Sequence, residues 1–271
     1  GGNQIIDAPS SITYFKSTVF LSGDVTSPAV VSYSAPDDPL TWTVAAGAGQ
    51  LVLGYDVVQI KPFRDELFIF GRSKIRKAIP DLASGFVLQD VTNNIGCIAK
   101  NSVIEVAGDL LFLSADGIRP IAGTTKIGDI EFGLLSEDIH NTVKDFIDSY
   151  DLDHLHSVVI RTKTQYRYFI SDASATDAEG TGIIASIQND LNATGRWEYG
   201  LLSGIQANAV WSGYDDTGSE LIIHGNNSGY VFYQENGNTF NGTDITAIYK
   251  TPYLDFGDTT IRKLFRKLNI F

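Results

Sequence analysis

Short apolar runs recur along the chain, each with a polar residue in front and a turn behind. The segments 65–79 (DELFIFGRSKIRKAI), 109–121 (DLLFLSADGIRPI) and 219–233 (SELIIHGNNSGYVFY) share this pattern, and each follows another apolar run. Each segment reads as an apolar strand, a turn and a second strand. The unit therefore predicts a small antiparallel sheet that recurs about every 40 to 55 residues.

Many short runs along the chain have the β-branched and aromatic content of strands. The runs predicted as strands are 17–22, 29–34, 57–62, 66–70, 74–79, 86–91, 102–107, 110–114, 118–122, 157–162, 166–171, 182–188, 197–202, 207–212, 221–224, 229–234, 246–254 and 263–271. A four-stranded unit at this repeat length is typical of a β-propeller blade. The predicted fold is all-β, a β-propeller-like array of four-stranded blades in one domain over residues 1–271.

A β-sandwich with similar strand spacing is the alternative fold. Strands of a sandwich have one face toward water, so their apolar residues alternate with polar ones. In DLLFLS and ELFIF the apolar residues stand at consecutive positions. Both faces of such strands must be buried, which favours blades that are covered on each side by the next blade. The pair Asp116–Gly117 is predicted to supply the two positive-φ residues of a type I′ hairpin turn.

One helix interrupts the strand pattern, at about residues 137–149. The run LSEDIHNTVKDFID places apolar residues at helical spacing, namely Ile139, Val143, Phe146 and Ile147. Ser136 is the predicted N-cap, and the acidic residues after it suit the positive end of the helix dipole. The sequence predicts an inserted amphipathic helix that lies on a sheet or closes a channel end.

Composition and charge narrow the functional classes. The 271 residues include no Met, so Gly1 is not a translation start, and we expect a fragment of a longer chain extended at both ends. No window approaches about eighteen consecutive apolar residues, so no membrane span is predicted. The net charge of −12 disfavours lasting contacts with nucleic acid. A basic cluster of Arg262, Lys263, Arg266 and Lys267 is interpreted as a solvated strand face, with a phosphate contact as the alternative.

Candidate chemistry is sparse, and we predict no catalytic, cofactor-binding or metal-binding residues. His154 and His156 are spaced to share a strand face and follow Asp151 and Asp153, but further ligands are not evident, so a solvated loop is preferred to a metal site. The single cysteine, Cys97, stands between apolar residues and is predicted to be a buried small hydrophobe. No G-x-S-x-G, Walker A or H-E-x-x-H motif is present, and the sialidase Asp-box is unmatched.

Several segments resemble the propeller-bearing nozzle, hub and head-to-tail stabilisation proteins of short-tailed bacteriophages. They are FKSTVFLSG, VVQIKPFRDELFIFGRSKIRKAI, the GC-centred run NNIGCIAKNSVIEVAGDLLFLSADGIRPIAG, the helix opening LSEDI and the closing TPYLDFGDTTIRKLFRKLNIF. The resemblance implies a non-catalytic virion protein of the phage tail. Its expected partners are copies of itself in a ring, the portal and adaptor, other tail proteins and passing genomic DNA.

Two other functional classes stay open on the sequence. The first is a carbohydrate-binding or glycoside-cleaving propeller that recognises a cell surface, with aromatic stacking platforms. The candidate platform residues are Tyr166, Tyr168, Trp197, Tyr199, Trp211 and Tyr214, although aromatic residues at strand spacing usually belong to the core. The second is an intracellular scaffold propeller, which would be a monomer that binds short peptides.

Overall fold

A computed structural model describes residues 3–82, 85–121, 133–171, 180–187, 197–248 and 262. The chain separates into two compact units, Gly1–Gln234 and Glu235–Phe271. Within the described residues, no helix has the length and apolar character needed to cross a membrane. The prediction of one domain over residues 1–271 stays a prediction.

The described part of the first unit consists mainly of five antiparallel sheets that follow one another along the chain. The first sheet contains β1 (Ser11–Phe15), β2 (Thr18–Ser22), β3 (Val30–Tyr33) and β4 (Gly49–Val52), and the second contains β5 (Gln59–Phe63), β6 (Glu66–Phe70), β7 (Ile75–Asp81) and β8 (Gly85–Thr92). The third sheet contains β9 (Ile104–Val106), β10 (Asp109–Ser114) and β11 (Gly117–Pro120). The fourth sheet contains β12 (Leu155–Ile160), β13 (Gln165–Ile170), β14 (Thr181–Ile187) and β15 (Trp197–Ser203). The fifth sheet contains β16 (Ala209–Tyr214), β17 (Glu220–Gly225) and β18 (Val231–Tyr233). In the second unit, β19 (Thr239–Phe240) pairs with β20 (Thr243–Asp244).

Each sheet is a simple meander in which strands that are consecutive in sequence are neighbours in space. The first, second and fourth sheets have four strands, and three strands are described in each of the third and fifth. The all-β prediction and the recurrence of small antiparallel sheets are therefore confirmed. Closure of these sheets into a propeller stays a prediction.

The strand predictions failed mainly at sheet edges. Strands β1 and β4, the two edge strands of the first sheet, were not predicted, although SITYF alternates apolar and polar residues as a half-exposed strand does; GQLV is short and contains Gly. The prediction over 246–254 is wrong for residues 246–248, which lie outside any strand and are exposed to solvent. Residues 249–254 and the predicted strand 263–271 lie outside the described residues.

Four hydrophobic clusters of the first unit each join two sheets that are consecutive in the chain. The first and second sheets share one built around Phe20, and the second and third share one built around Phe112. The third and fourth share the cluster with Tyr168, and the fourth and fifth share a smaller one with Phe169. The core of the unit is thus divided among successive junctions, each formed by two apposed sheet faces.

The middle strands of the inner sheets bury both of their faces. In β10, Leu110 packs toward the second sheet and Leu111 toward the fourth, and both are inaccessible to solvent. In β6, Leu67 and Phe68 divide in the same way between the first and third sheets. This confirms the interpretation of consecutive apolar residues as strands that are covered on both sides.

The predicted type I′ turn at Asp116–Gly117 is wrong. Ser114 pairs with Gly117, so the turn residues are Ala115 and Asp116, and neither has the positive φ that this turn requires. Gly117 follows the turn with a φ of 142°, and an added Cβ would collide with Ser136 Oγ. The glycine is required there because the segment before the helix passes closely over it.

The predicted helix forms at the expected place. A 3-10 turn, Glu137–Ile139, leads into the helix α1 (His140–Ser149), which buries Val143 and Phe146 between the third and fourth sheets. Ser136 occupies the N-cap position of the 3-10 turn, but its side chain makes no capping hydrogen bond there. Ser136 is buried, and its Oγ instead accepts a hydrogen bond of 3.0 Å from the N–H of Ile118 in β11.

Candidate functional site

The first strands of most successive sheets lie side by side. Strand β1 contacts β5, β9 contacts β12, and β12 contacts β16. Polar side chains from distant parts of the sequence meet along this edge of the sheets. We call these residues the first-strand row: Ser11, Gln59, Lys100, Asn101 and Ser157.

Hydrogen bonds connect the first-strand row across the first four sheets. Ser11 Oγ donates to Gln59 Oε1 at 2.6 Å, and Gln59 Nε2 donates to the carbonyl oxygen of Lys100 at 3.2 Å. Ser157 Oγ donates to the carbonyl oxygen of Asn101, which links the fourth sheet to the residues just before β9. A single glutamine amide thus joins the first two sheets to the 3-10 turn Lys100–Ser102, which precedes β9.

The first-strand row is nearly neutral. Lys100 is its one ionisable side chain, and its Nζ donates to the carbonyl oxygen of Ser10. Burial lowers the pKa of Lys100, because the charged ammonium loses hydration. Half-buried amide and hydroxyl groups that hydrogen-bond to one another can hold sheets in register and present a polar surface, but this geometry supplies no general acid or base pair.

A carboxylate fastens the fourth sheet to the fifth. Glu220 of β17 accepts hydrogen bonds from the N–H of Arg161 at 2.7 Å, the N–H of Thr162 at 2.9 Å and Thr162 Oγ1 at 2.6 Å. Its side chain is only 3% exposed. Burial opposes ionisation of Glu220, but the hydrogen bonds from Thr162 and Arg161 outweigh burial, so the pKa is lowered.

We expect Glu220→Gln to lower the free energy of unfolding at pH 7 by about 1–2 kcal/mol, because hydrogen bonds to a charged acceptor are lost. A lowered carboxyl pKa contributes stability above the unfolded pKa of about 4.3, and that stability is lost as pH falls through the folded pKa. Urea unfolding at pH 7 and at lower pH measures both effects. The difference between wild type and variant should shrink in acid, whereas exposed Asp216→Asn should behave as wild type; a pH-independent difference contradicts the prediction.

A second polar group at this junction was missed by the sequence analysis. Arg167 is buried in β13, and its guanidinium donates to Gln165 Oε1 at 2.7 Å and to Gln234 Oε1 at 2.9 Å. Gln234 Nε2 lies 3.2 Å from His224 Nδ1. One feature of the sequence could have indicated this group: an arginine stands inside the otherwise apolar run YRYFI. A strand that is buried on both faces cannot expose the arginine to water, so its guanidinium needs hydrogen-bond partners inside the protein.

The histidine pair is divided between two elements. His154 ends a 3-10 turn and lies 3.8 Å from Asp151, whereas His156 is in β12, where burial and the neighbouring His154 lower its pKa. Asp151 Oδ1 accepts a hydrogen bond from the N–H of Asp153. Among the described residues, no group of three or more His, Cys, Asp or Glu side chains is placed to hold a metal.

Most of the candidate aromatic platform belongs to the core. Tyr166 and Tyr168 are fully buried, and Trp197 meets Tyr166 edge to face at 5.2 Å. Tyr199 donates through its hydroxyl to the carbonyl oxygen of Leu135. Trp211 and Tyr214 are exposed, but the register of β16 places them on opposite faces of the fifth sheet, so the two rings form no common platform.

The remaining candidates have little bearing on a site. Cys97 is fully buried, as predicted, and burial raises the pKa of its thiol to about 11. Of the basic cluster, Arg262 is exposed, and Lys263, Arg266 and Lys267 lie outside the described residues.

No protein-family model and no curated protein sequence matches the chain. Among solved structures, the chain is similar to the N-terminal domain of Nup159, with a TM-score of 0.47 and 9% identity over 85% of this chain and 61% of that one. It is also similar to puromycin hydrolase, with a TM-score of 0.46 and 11% identity over 87% of this chain and 40% of that one. The chain thus spans less than two thirds of each protein. Likeness at this level assigns neither the fold nor an activity.

Proposed function

We propose that the chain is a structural, non-catalytic component of a bacteriophage tail. In this proposal it forms a β-propeller-like part of a nozzle or hub ring in the virion, next to the portal and adaptor. The resemblance of the GC-centred run and of DLLFLSADGIR to that family supports the tail assignment. Genomic DNA passes through the ring without sequence-specific contact.

The observation that carries the proposal is the presence of exposed apolar faces at the two ends of the series of sheets. The face of the first sheet that points away from the second exposes Ile12, Tyr14 and Val52. The face of the fifth sheet that points away from the fourth exposes Trp211 and Tyr233. Exposed apolar patches of this kind mark sites of protein–protein contact, which suit a subunit of an assembly.

The arrangement of the first strands supports the propeller part of the proposal. In a propeller, the first strand of each blade lies nearest the central axis. The contacts of β1 with β5 and of β12 with β9 and β16 fit that placement. The net charge of −12 suits a channel protein, because an acidic surface forms few lasting phosphate contacts and lets DNA slide.

Carbohydrate binding is the second candidate function. The indole of Trp211 and the phenol of Tyr233 are exposed on the same face of the fifth sheet, two strands apart. Exposed aromatic rings can stack on sugars. Glycan-dependent stabilisation of the protein that is lost in Trp211→Ala is the result that favours this function.

Cryo-electron microscopy of the native particle tests the tail assignment. We expect a symmetric ring of this chain on the DNA axis beneath the portal and adaptor. If the chain is instead found free, or as a peripheral spike with an open carboxylate-lined pocket, the proposal is wrong. Glycan binding then becomes the leading function.

A further inference from the structure

Strand β17 has the sequence of a strand that is buried on two sides, but it is covered on one side only. Its run ELIIHG has consecutive apolar residues, as β6 and β10 do. Ile222 packs against the fourth sheet, whereas its neighbours Leu221 and Ile223 point to the opposite face and stay partly exposed. The pattern that buries both faces of β6 and β10 predicts a cover for this second face as well.

The uncovered side of the fifth sheet is a continuous apolar surface, which we call the trailing face. Cross-strand register places Trp211, Ile223 and Tyr233 in one row, with Ala209, Gly225 and Val231 in the next. Trp211, Tyr233 and Val231 are 50%, 63% and 69% exposed. The indole of Trp211 lies over Gly213, where a Cβ would collide with the ring. The described residues in these registered rows include no charged side chain.

The side of the first sheet that points away from the second is apolar and covered only in part, since Leu21 is buried there while Ile12 is exposed, and we call it the leading face. Ile12 pairs with Leu21, Tyr14 with Val19, and Val30 with Val52 on this side. Ile12 and Tyr14 are 72% and 64% exposed. Gln50 Nε2 donates to the carbonyl oxygen of Gln4, so the N-terminal segment crosses part of the face. Charged side chains are absent from the described residues in these pairs too.

We propose that the trailing face of one copy binds the leading face of the next, so that copies associate head to tail. Each junction inside the first unit is one sheet face packed on another, and this contact continues the same packing between chains. Two uncharged faces meet without burying an unpaired charge. A head-to-tail contact of this kind closes into a ring when its rotation permits. The inference deepens the proposed structural role by naming the surfaces that join the subunits.

The size of the two faces predicts a weak contact. Each face exposes three large apolar side chains, Trp211, Val231 and Tyr233 on the trailing face and Ile12, Tyr14 and Val52 on the leading face. Each of them offers on the order of 100 Å² of surface, so either face supplies roughly half of what a stable interface buries on each partner. We therefore expect association that depends on protein concentration and becomes stable when a ring or neighbouring tail proteins hold the copies together.

Cross-linking between introduced cysteines tests the contact in the 271-residue chain. A bismaleimide should join Ile12→Cys to Tyr233→Cys in a mixture of the two variants, giving dimers. The double variant should give a concentration-dependent ladder of dimers and larger species. Background reaction is low because Cys97 is fully buried with a raised thiol pKa. Circular dichroism confirms that each variant is folded.

The control is Tyr214→Cys, at a similarly exposed tyrosine on the other face of the same sheet, which should not cross-link to Ile12→Cys. A cross-linked monomer of the double variant would mean that the faces close within one chain and would overturn the proposal. Dimers of Tyr233→Cys alone, or no cross-linked product at millimolar protein, would overturn it too. Since none of these outcomes depends on where the chain lies in a virion, the tail assignment is tested separately.

Discussion

Gly96→Ala is expected to lower the free energy of unfolding by about 3 kcal/mol or more, because the added methyl group has no room. A Cβ at Gly96 would collide with the backbone of Gly71, Arg72 and Ser73, in the turn between β6 and β7. The next residue, Cys97, donates its N–H to the carbonyl oxygen of Gly71 at 2.8 Å and is buried. Backbone on both sides of the contact cannot move aside as a side chain can. Chemical unfolding followed by circular dichroism measures the loss.

Gly133→Ala is the matched control for Gly96→Ala. A Cβ at Gly133 meets nothing within 4 Å, and its φ is not in the left-handed region, so we expect a change within about 0.5 kcal/mol. If the two variants unfold at the same denaturant concentration, close backbone packing at Gly96 is not what makes the glycine necessary. The Gly96–Cys97 pair would then need another explanation.

Local patterns were sufficient to predict most of the described strands and the helix. Consecutive apolar residues in ELFIF and DLLFLS identify β6 and β10, because only a strand buried on both sides accepts them. Helical spacing of Val143 and Phe146 locates α1 for the same reason, since the core selects one face of a helix. These signals are contained within about ten residues, and they do not depend on how the chain folds at longer range.

Contacts between distant segments could not be predicted from those patterns. Ser136 has the right type and position for an N-cap, but folding places it against β11, where it accepts a hydrogen bond from Ile118. Glu220 looks like a polar strand opener, yet it binds a turn 58 residues earlier in the chain. The pair Asp116–Gly117 predicts a type I′ turn, because Asp-Gly is typical of that turn. In the structure Gly117 is needed for a different reason, the close approach of Ser136, and the sequence does not reveal that contact.

The candidate site was beyond prediction for the same reason. Gln59 joins Ser11 to the carbonyl oxygen of Lys100, and these residues are 48 and 41 positions away from it. A serine or glutamine near the end of a strand has the same local sequence pattern whether it binds a neighbouring sheet or only water. The sequence alone therefore does not identify the residues that connect sheets. The trailing face is an intermediate case, because the apolar run of β17 predicts a covered strand while only the structure shows which side is uncovered.

Leu110→Ala and Leu111→Ala are each expected to lower the free energy of unfolding by about 2–5 kcal/mol. They are neighbours in β10 whose side chains point to opposite faces, and both are fully buried in different clusters. In a strand with one solvated face, one of the two substitutions would be nearly neutral. Leu201→Ala, in the exposed outer strand β15, serves as the control and should change stability by less than about 0.5 kcal/mol.

The corresponding pair in β17 should behave differently, which makes the comparison informative about assembly. Ile222→Ala removes a side chain from the junction of the fourth and fifth sheets, and we expect a loss of about 2 kcal/mol or more. Ile223→Ala alters the uncovered face and should be nearly neutral in dilute protein, because Ile223 keeps partial contact with solvent. If Ile223→Ala becomes costly only at concentrations where copies associate, the trailing face is covered by a neighbouring subunit. Equal losses for both variants in a dilute monomer would instead mean that the same chain covers this face.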